Sequence, residues 1–228
     1  YPGASGPAIP YDVANSCRFD DGSSAYMNRS NGTPSSRRQL TVSTWLKRAG
    51  GFGNYQYYMG IQDTGDGDPR INFGFDDSDR LYISETNNAG QQVWAFITTR
   101  VLRDTNAWMN IVCSIDTTQS TEANRLKIYI NGTQETAFAT SSYPSENLDL
   151  ANTGNEINIG CIDNNSPSGF FDGYLTEVVY CDGQALDQTS FGEFDSDSPN
   201  IWKPINVSGL TFGNNGFYLD FEDSSNLG

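Results

Sequence analysis

Histidine is absent from this 228-residue chain. Ser-His-Asp and Cys-His nucleophile activation both need an imidazole, as does every His-ligated metal centre, so all of these are excluded. Lysine is scarce: Lys47, Lys127 and Lys203 are the full set, and 13 basic residues face 28 acidic ones for a net charge of −15. Nucleic acid needs a basic stripe to displace its counterions, and the basic residues here form short pairs such as Arg37-Arg38 and Lys47-Arg48. The acidity reads as a solvated surface that keeps a β-rich chain soluble. Long apolar runs are also missing, so no segment has the length of a membrane-spanning helix. No signal peptide is visible, yet residue 1 is Tyr, which implies a chain processed or cut from something longer.

The four cysteines, Cys17, Cys113, Cys161 and Cys181, show no C-x-x-C spacing, which argues against zinc or a redox dithiol. Each lies in or beside an apolar strand pattern. They read either as small buried hydrophobes or as one or two disulfides, with Cys17–Cys181 the pairing expected first among the three that four cysteines allow.

Helical periodicity is nearly lacking. In its place, short β-branched and aromatic runs recur between clusters of Gly, Asn, Asp, Ser and Pro, the pattern of an all-β sandwich. Strands are expected near 14–20, 25–28, 39–47, 55–61, 70–75, 80–85, 92–98, 108–115, 125–131, 157–161, 174–181 and 216–221. In LTVSTWLKR, alternation puts Leu40, Val42, Thr44 and Leu46 on one side and Thr41, Ser43, Trp45 and Lys47 on the other. RLKIYINGTQE places Leu126, Ile128 and Ile130 on one face and then turns at Asn131-Gly132, a dipeptide suited to a tight hairpin. Thr140 to Gly154 reads as a long surface connection, 185–194 as one helical turn, and 195–215 as loop. CRFDDGSSAY at 17–26 is echoed by LDFEDSSNLG at 219–228. The echo is either the start of a further similar unit or two strands ending in the same turn chemistry. Three regions follow: an N-terminal lead-in over 1–13, one sandwich domain over 14–194, and a C-terminal extension with one further strand over 195–228.

Three segments taken together resemble the laminin-G-like, concanavalin A-like family, which includes pentraxins. They are LTVSTWLKR, AWMNIVCSID with RLKIYINGTQE, and INIGCIDNNSPSGFFDGYLTEVVYCDGQAL. Where His is frequent in the family, Met109 and Asn110 stand here, so nothing His-dependent carries over. DGQALDQTSFGEFD with the NNGFYLDFEDSSNLG close resembles domains of marine bacteriophage tail-fibre and virion structural proteins. The resemblance implies a two-sheet antiparallel jelly-roll sandwich on a virion surface, a non-enzymatic tail fibre or capsid decoration. Its implied partners are other virion proteins, further copies of itself and host-surface glycan, with no nucleic acid and no membrane insertion.

The related glucanases carry their carboxylates as a triplet on one strand, where alternation places nucleophile and acid roughly 5 Å apart. No such triplet occurs here. The nearest candidates are ENLDL at 146–150 and Glu177, which has no carboxylate two residues to either side and reads as a structural residue bonding a loop. Calcium is the better chemical expectation, since it takes six to eight oxygen ligands from carboxylate-bearing loops. QDTGDGDPR offers Asp63, Asp66 and Asp68, and CIDNNSPSG offers Asp163, Asn164 and Asn165. Positions like these converge on the calcium site of pentraxins, although Ile162 stands where pentraxins have an acidic residue. DDSD at 76–79 reads as a hairpin turn. For a sugar, an aromatic platform beside polar groups is required. Phe52, Tyr55, Tyr57, Tyr58, Phe170 and Phe171 are the candidates, with Tyr55, Tyr57, Phe170 and Asn165 preferred as ligand contacts. Two rival readings stand beside virion attachment: a calcium-dependent lectin, and a polysaccharide-cleaving enzyme of the same fold.

Overall fold

The computed structural model describes residues 11–62, 69–153, 156–162 and 166–223. Sixteen strands run through them: β1 Cys17–Phe19, β2 Met27–Ser30, β3 Gln39–Arg48, β4 Gln56–Gln62, β5 Arg70–Phe75, β6 Arg80–Thr86, β7 Gln92–Val101 and β8 Met109–Asp116. The second half comprises β9 Leu126–Ile130, β10 Thr133–Gln134, β11 Phe138–Ser142, β12 Glu156–Ile159, β13 Gly173–Asp182, β14 Gly192–Phe194, β15 Trp202–Pro204 and β16 Phe217–Leu219. No described segment is α-helical; three short 3-10 turns occur, one of them at Gln188–Ser190 within the helical turn expected from sequence.

Fourteen of these strands form two large sheets. The first has the order β1-β13-β3-β8-β9-β10, with β16 also on β13, and the second the order β11-β7-β6-β5-β4-β12-β2. All of their pairings are antiparallel, as a jelly-roll sandwich requires. One apolar face of each sheet meets the other. Leu40, Val42 and Leu46 of β3, Ile111, Cys113 and Ile115 of β8, and Leu175 and Val178 of β13 pack against Ile71, Phe73 and Phe75 of β5, Leu81 and Ile83 of β6, and Trp94 and Phe96 of β7. The expected alternation of LTVSTWLKR thus holds, and Trp45 faces away from this core.

The Asn131-Gly132 turn has φ of 49° and 74°, the left-handed pair that a two-residue hairpin demands. The 76–79 turn is a hairpin as expected, but Asp76 and Asp79 are buried in it. Asp79 bonds Arg48 at 3.0 Å and Arg103 at 2.6 Å, and Arg48 is held between the rings of Phe52 and Phe75. Arg48 belongs to the first sheet and Asp79 to a turn of the second, so this ion pair ties the two sheets together.

Two expected connections are shorter than read. β11 takes up Phe138–Ser142 and pairs with β7, so the surface connection begins after Ser142. The 195–215 loop contains β15, which pairs with β14 as a small separate hairpin. A Cys17–Cys181 disulfide is ruled out by register. Cys17 lies opposite Leu175 on β13, six residues and roughly 20 Å of strand from Cys181, whereas a disulfide needs Cα atoms within about 7 Å. None of the four cysteines forms a disulfide.

β1 and β16 share one edge of β13, β16 beside Val178–Tyr180 and β1 beside Gly173–Leu175. Phe19 after Cys17 and Phe221 after Leu219 are both buried in the main core. The echoed segments thus do the same structural work, each closing one half of the same edge.

Candidate functional site

The outer face of the second sheet is where the expected sugar contacts gather. Register fixes which residues share it. Tyr57, Gly74, Tyr82 and Ile97 form one lateral row, and Asn28, Asn158, Gly60, Asn72, Ser84 and Ala95 form the next, one pleat away. A register shift between Tyr57 and Met59 turns Tyr58 and Met59 both inward and leaves Tyr57 on the outside. Glycines at 60 and 74 admit close neighbours within the rows, and a methyl on Gly60 would sit 2.9 Å from Ile162 Cγ2. A methyl on Gly74 would sit 2.1 Å from the Gln56 carbonyl and 2.8 Å from the Tyr57 ring.

Tyr55, Tyr57 and Tyr82 make a three-ring cluster, with centroids 6.4 Å apart for Tyr55–Tyr57, 5.9 Å for Tyr55–Tyr82 and 6.5 Å for Tyr57–Tyr82. Such spacings are those of packed aromatic pairs. Tyr55 is 47% exposed and Tyr57 8%, so the cluster offers one open ring braced by a buried one. Phe170 adjoins it through a bridge to Tyr57, and Tyr57 N–H donates to the Gly169 carbonyl at 2.8 Å. Tyr26, 41% exposed, extends the aromatic surface at 6.2 Å from Phe170. Burial first, then the neighbouring phenols, pushes the Tyr57 hydroxyl well above its ordinary pKa, and Tyr55 shifts the same way. Both rings are neutral hydrogen-bonding platforms.

Beside the tyrosines lie amides with unmade hydrogen bonds. Asn158 is fully buried, and neither atom of its amide has a hydrogen-bond partner among the described residues. Asn72 donates to Ser84 Oγ at 3.1 Å, while its Oδ1 accepts nothing among the described residues. Buried amides left unmade cost about 1–3 kcal/mol each, a cost that proteins accept where a ligand completes the bond.

Of the expected contacts, Tyr55, Tyr57 and Phe170 therefore come together. Phe52 is taken up under Arg48, and Tyr58 and Phe171 are in the core, because alternation and the β4 bulge direct them there. Tyr82, Tyr26, Asn72 and Asn158 were missed. Tyr82 could have been found, since Leu81 and Ile83 mark the inward side of RLYISET and leave it outward. Asp63, Asp66, Asp68, Asp163, Asn164 and Asn165 lie outside the described residues.

Among the described residues one acidic triplet converges, Asp20, Asp21 and Asp172, with ligand atoms within 4.8 Å of one another. Arg18 already occupies its charge, 2.5 Å from Asp172 and 3.6 Å from Asp20, and Asp20 caps the turn that follows by accepting from Ser23 N–H. A calcium ion would compete with that guanidinium, so the triplet fits a cation poorly. Glu177 bonds a loop as expected: it accepts from Tyr11 Oη at 2.9 Å and from Tyr218 Oη at 2.8 Å. Burial raises its pKa, and the two tyrosine hydrogen bonds pull the other way. Burial likewise lifts the Cys113 thiol, and brings the Cys181 thiol to about 12, so neither is a thiolate nucleophile near neutrality.

A family model described as the concanavalin A-like lectin/glucanases superfamily matches residues 21–189. The chain belongs to that superfamily. Solved structures share the superfamily sandwich at low identity. A heptameric SAP-like pentraxin from Limulus polyphemus is 15% identical, with a TM-score of 0.51 over 74% of this chain and 72% of the pentraxin. The NanB sialidase of Streptococcus pneumoniae (K499G mutant) is 13% identical, with a TM-score of 0.52 over 79% of this chain but 28% of the sialidase. A carbohydrate-binding module of the Ruminococcus gnavus IT-sialidase, bound to α2,3-sialyllactose, is 10% identical, with a TM-score of 0.45 over 67% of this chain and 88% of the module. No curated protein matches the chain in sequence.

Proposed function

We propose that this concanavalin A-like domain is a non-catalytic carbohydrate-binding module. It holds a glycan against Tyr55, Tyr57 and Tyr82 and completes the hydrogen bonds of Asn72 and Asn158. The carrying observation is the placement of the fully buried Asn158 amide, unpartnered among the described residues, one pleat from an aromatic cluster whose Tyr55 ring is open. Sugars present an apolar ring face together with directional hydroxyls, and this surface pairs an aromatic platform with unmade amide bonds.

A glycan array compares the wild type with Tyr82→Ala and Asn158→Ala. Both variants are expected to lose at least about tenfold in affinity, the worth of a stacked ring or a pair of amide bonds. Asn158→Ala is also expected to melt no lower than wild type, because it deletes a polar group that the unliganded protein leaves unsatisfied. Binding that survives both substitutions would rule out this face. A calcium-dependent version, through Asp63, Asp66, Asp68, Asp163 and Asn164, is separated by repeating the array in chelator. Unchanged binding there would dispose of the metal, and product release from polysaccharide would turn the reading toward an enzyme.

Display on a virion appendage, outside the cell, is the setting we propose, and the C-terminal resemblance to phage structural proteins supports it. Other virion proteins and further copies of the chain are then the partners, and many weak glycan contacts gain strength through effective concentration. Immunogold labelling of particles tests the setting, and light scattering of the purified chain tests self-association.

A further inference from the structure

From a cavity on the opposite side of the molecule, we infer an independent binding site for a single neutral sugar ring. It lies on the outer face of the first sheet and has a volume of about 370 Å3, with Trp45, Trp108, Pro204, Thr176, Asn15 and Asp12 among its walls. Pockets of this size take small organic ligands.

The sheet supplies the floor. Trp45 of β3 lies between Thr176 of β13 and Asn110 of β8, so its indole is fixed from both sides. Trp108 precedes β8 and is 37% exposed. The segment 11–16 crosses the sheet as a strap, tied where Thr176 Oγ donates to the Asn15 carbonyl at 2.7 Å and where Tyr11 Oη meets Glu177 and Tyr218 at 2.9 and 2.8 Å. Glu177 holds a left-handed φ of 50° at the β13 bulge, which aims its carboxylate at those two hydroxyls. On the far side, the β14–β15 hairpin is anchored by Trp202 Nε1 donating to Asn110 Oδ1 at 3.0 Å, and this sets Pro204 at the cavity wall.

One group in this wall lacks a partner. Trp45 is 9% exposed, and its buried indole N–H finds no acceptor among the described residues. A ligand suited to the cavity must therefore bring an acceptor oxygen to that donor and an apolar face to the two indoles. A cation brings no acceptor. An anion would enter beside Asp12 on a chain of net charge −15. A neutral hexose or N-acetylhexosamine ring meets both demands, and the strap and the hairpin bound the space to a single ring and not to an extended peptide.

The test uses the full chain and a panel of glucose, galactose and N-acetylglucosamine, read by tryptophan fluorescence and by the indole 1H–15N resonances. A saturable fluorescence change with at least one sugar is expected, together with movement of the Trp45 indole signal. Trp108→Ala should weaken it about tenfold and Trp45→Phe, which keeps a ring and removes the N–H, about fivefold. Tyr82→Ala, on the other sheet, should leave it unchanged. If no sugar moves the Trp45 resonance, or if a proline-rich peptide does so in place of sugars, the inference is overturned. Sugar binding lost with Tyr82→Ala but kept with Trp108→Ala would also overturn it while sparing the site proposed above; the converse would uphold it and leave that site unsupported.

Discussion

Arg48 carries a full charge into the sandwich with no exposed side-chain surface, and it is accommodated because both of its terminal nitrogens find counterparts, while Nε finds none among the described residues. Its guanidinium donates to the Leu102 carbonyl, Gln56 Oε1 and Asp79 Oδ1, at 2.9, 3.1 and 3.0 Å. Burial opposes the charge on Asp79, but hydrogen bonds from Arg103, Gly53 N–H and Arg48 outweigh it and hold its carboxyl below the usual range. Arg48→Met should cost about 3–5 kcal/mol in urea denaturation, since it leaves buried acceptors uncompensated. Arg103→Ala, at the same aspartate but on a side chain 59% exposed, should cost less than about 1 kcal/mol. Equal losses would mean that the cross-sheet tie is not where the stability resides.

Glu85 behaves in the opposite sense. Burial pushes its carboxyl up to about 7, against the lowering effect of hydrogen bonds from Trp94 Nε1 and the Ala151 backbone. The folded state therefore takes up a proton between the ordinary glutamate value and about pH 7. The associated stability is complete in mild acid and is lost as pH rises through 7, by about 3 kcal/mol at most. Glu85→Gln removes the titration. Its urea midpoint should change less between pH 5 and pH 8 than that of wild type, and should exceed it at pH 8; parallel pH profiles would refute the assignment.

At the scale of elements, strands were legible wherever apolar and polar residue types alternate, as in β3, β6 and β9, even though both faces of β3 are buried. There the period of two is written directly in residue type. β11 was not legible, because Ala139–Ser142 is small or polar on both faces, and it is held by backbone pairing to β7 instead of by side-chain burial. β15 was hidden by Pro204 and by the brevity of its hairpin. The platform was legible as a list of aromatics but not as a cluster, because the β4 bulge decides which tyrosine turns out. Asn158 could not be read at all: its lack of partners is a product of tertiary burial. Gly74 is the element-level test. Gly74→Ala would drive a methyl into the Gln56 carbonyl, prise β4 from β5 and tilt Tyr57. A loss of about 1–3 kcal/mol is expected, with a fall in glycan affinity. Gly209→Ala, where nothing lies within 4 Å of the added methyl, should do neither.

The whole molecule sets the charge that any ligand meets first. A net charge of −15 on 228 residues, with no described helix long and apolar enough to cross a membrane, puts a repulsive field around both faces of the sandwich. A neutral glycan does not feel that field, whereas a sialylated or sulfated one must work against it. Raising salt from about 0.01 M to about 1 M contracts the screening length from roughly 30 Å to roughly 3 Å. Affinity for a neutral glycan should then stay within about twofold, since stacking and amide hydrogen bonds are short-ranged, while affinity for an anionic glycan of the same core should rise severalfold. Titration calorimetry of such a pair across that salt range distinguishes the two. Anionic binding that weakens with salt would mean that a local cationic contact outweighs the molecular field, and the neutral-ligand reading of the first-sheet cavity would have to be abandoned.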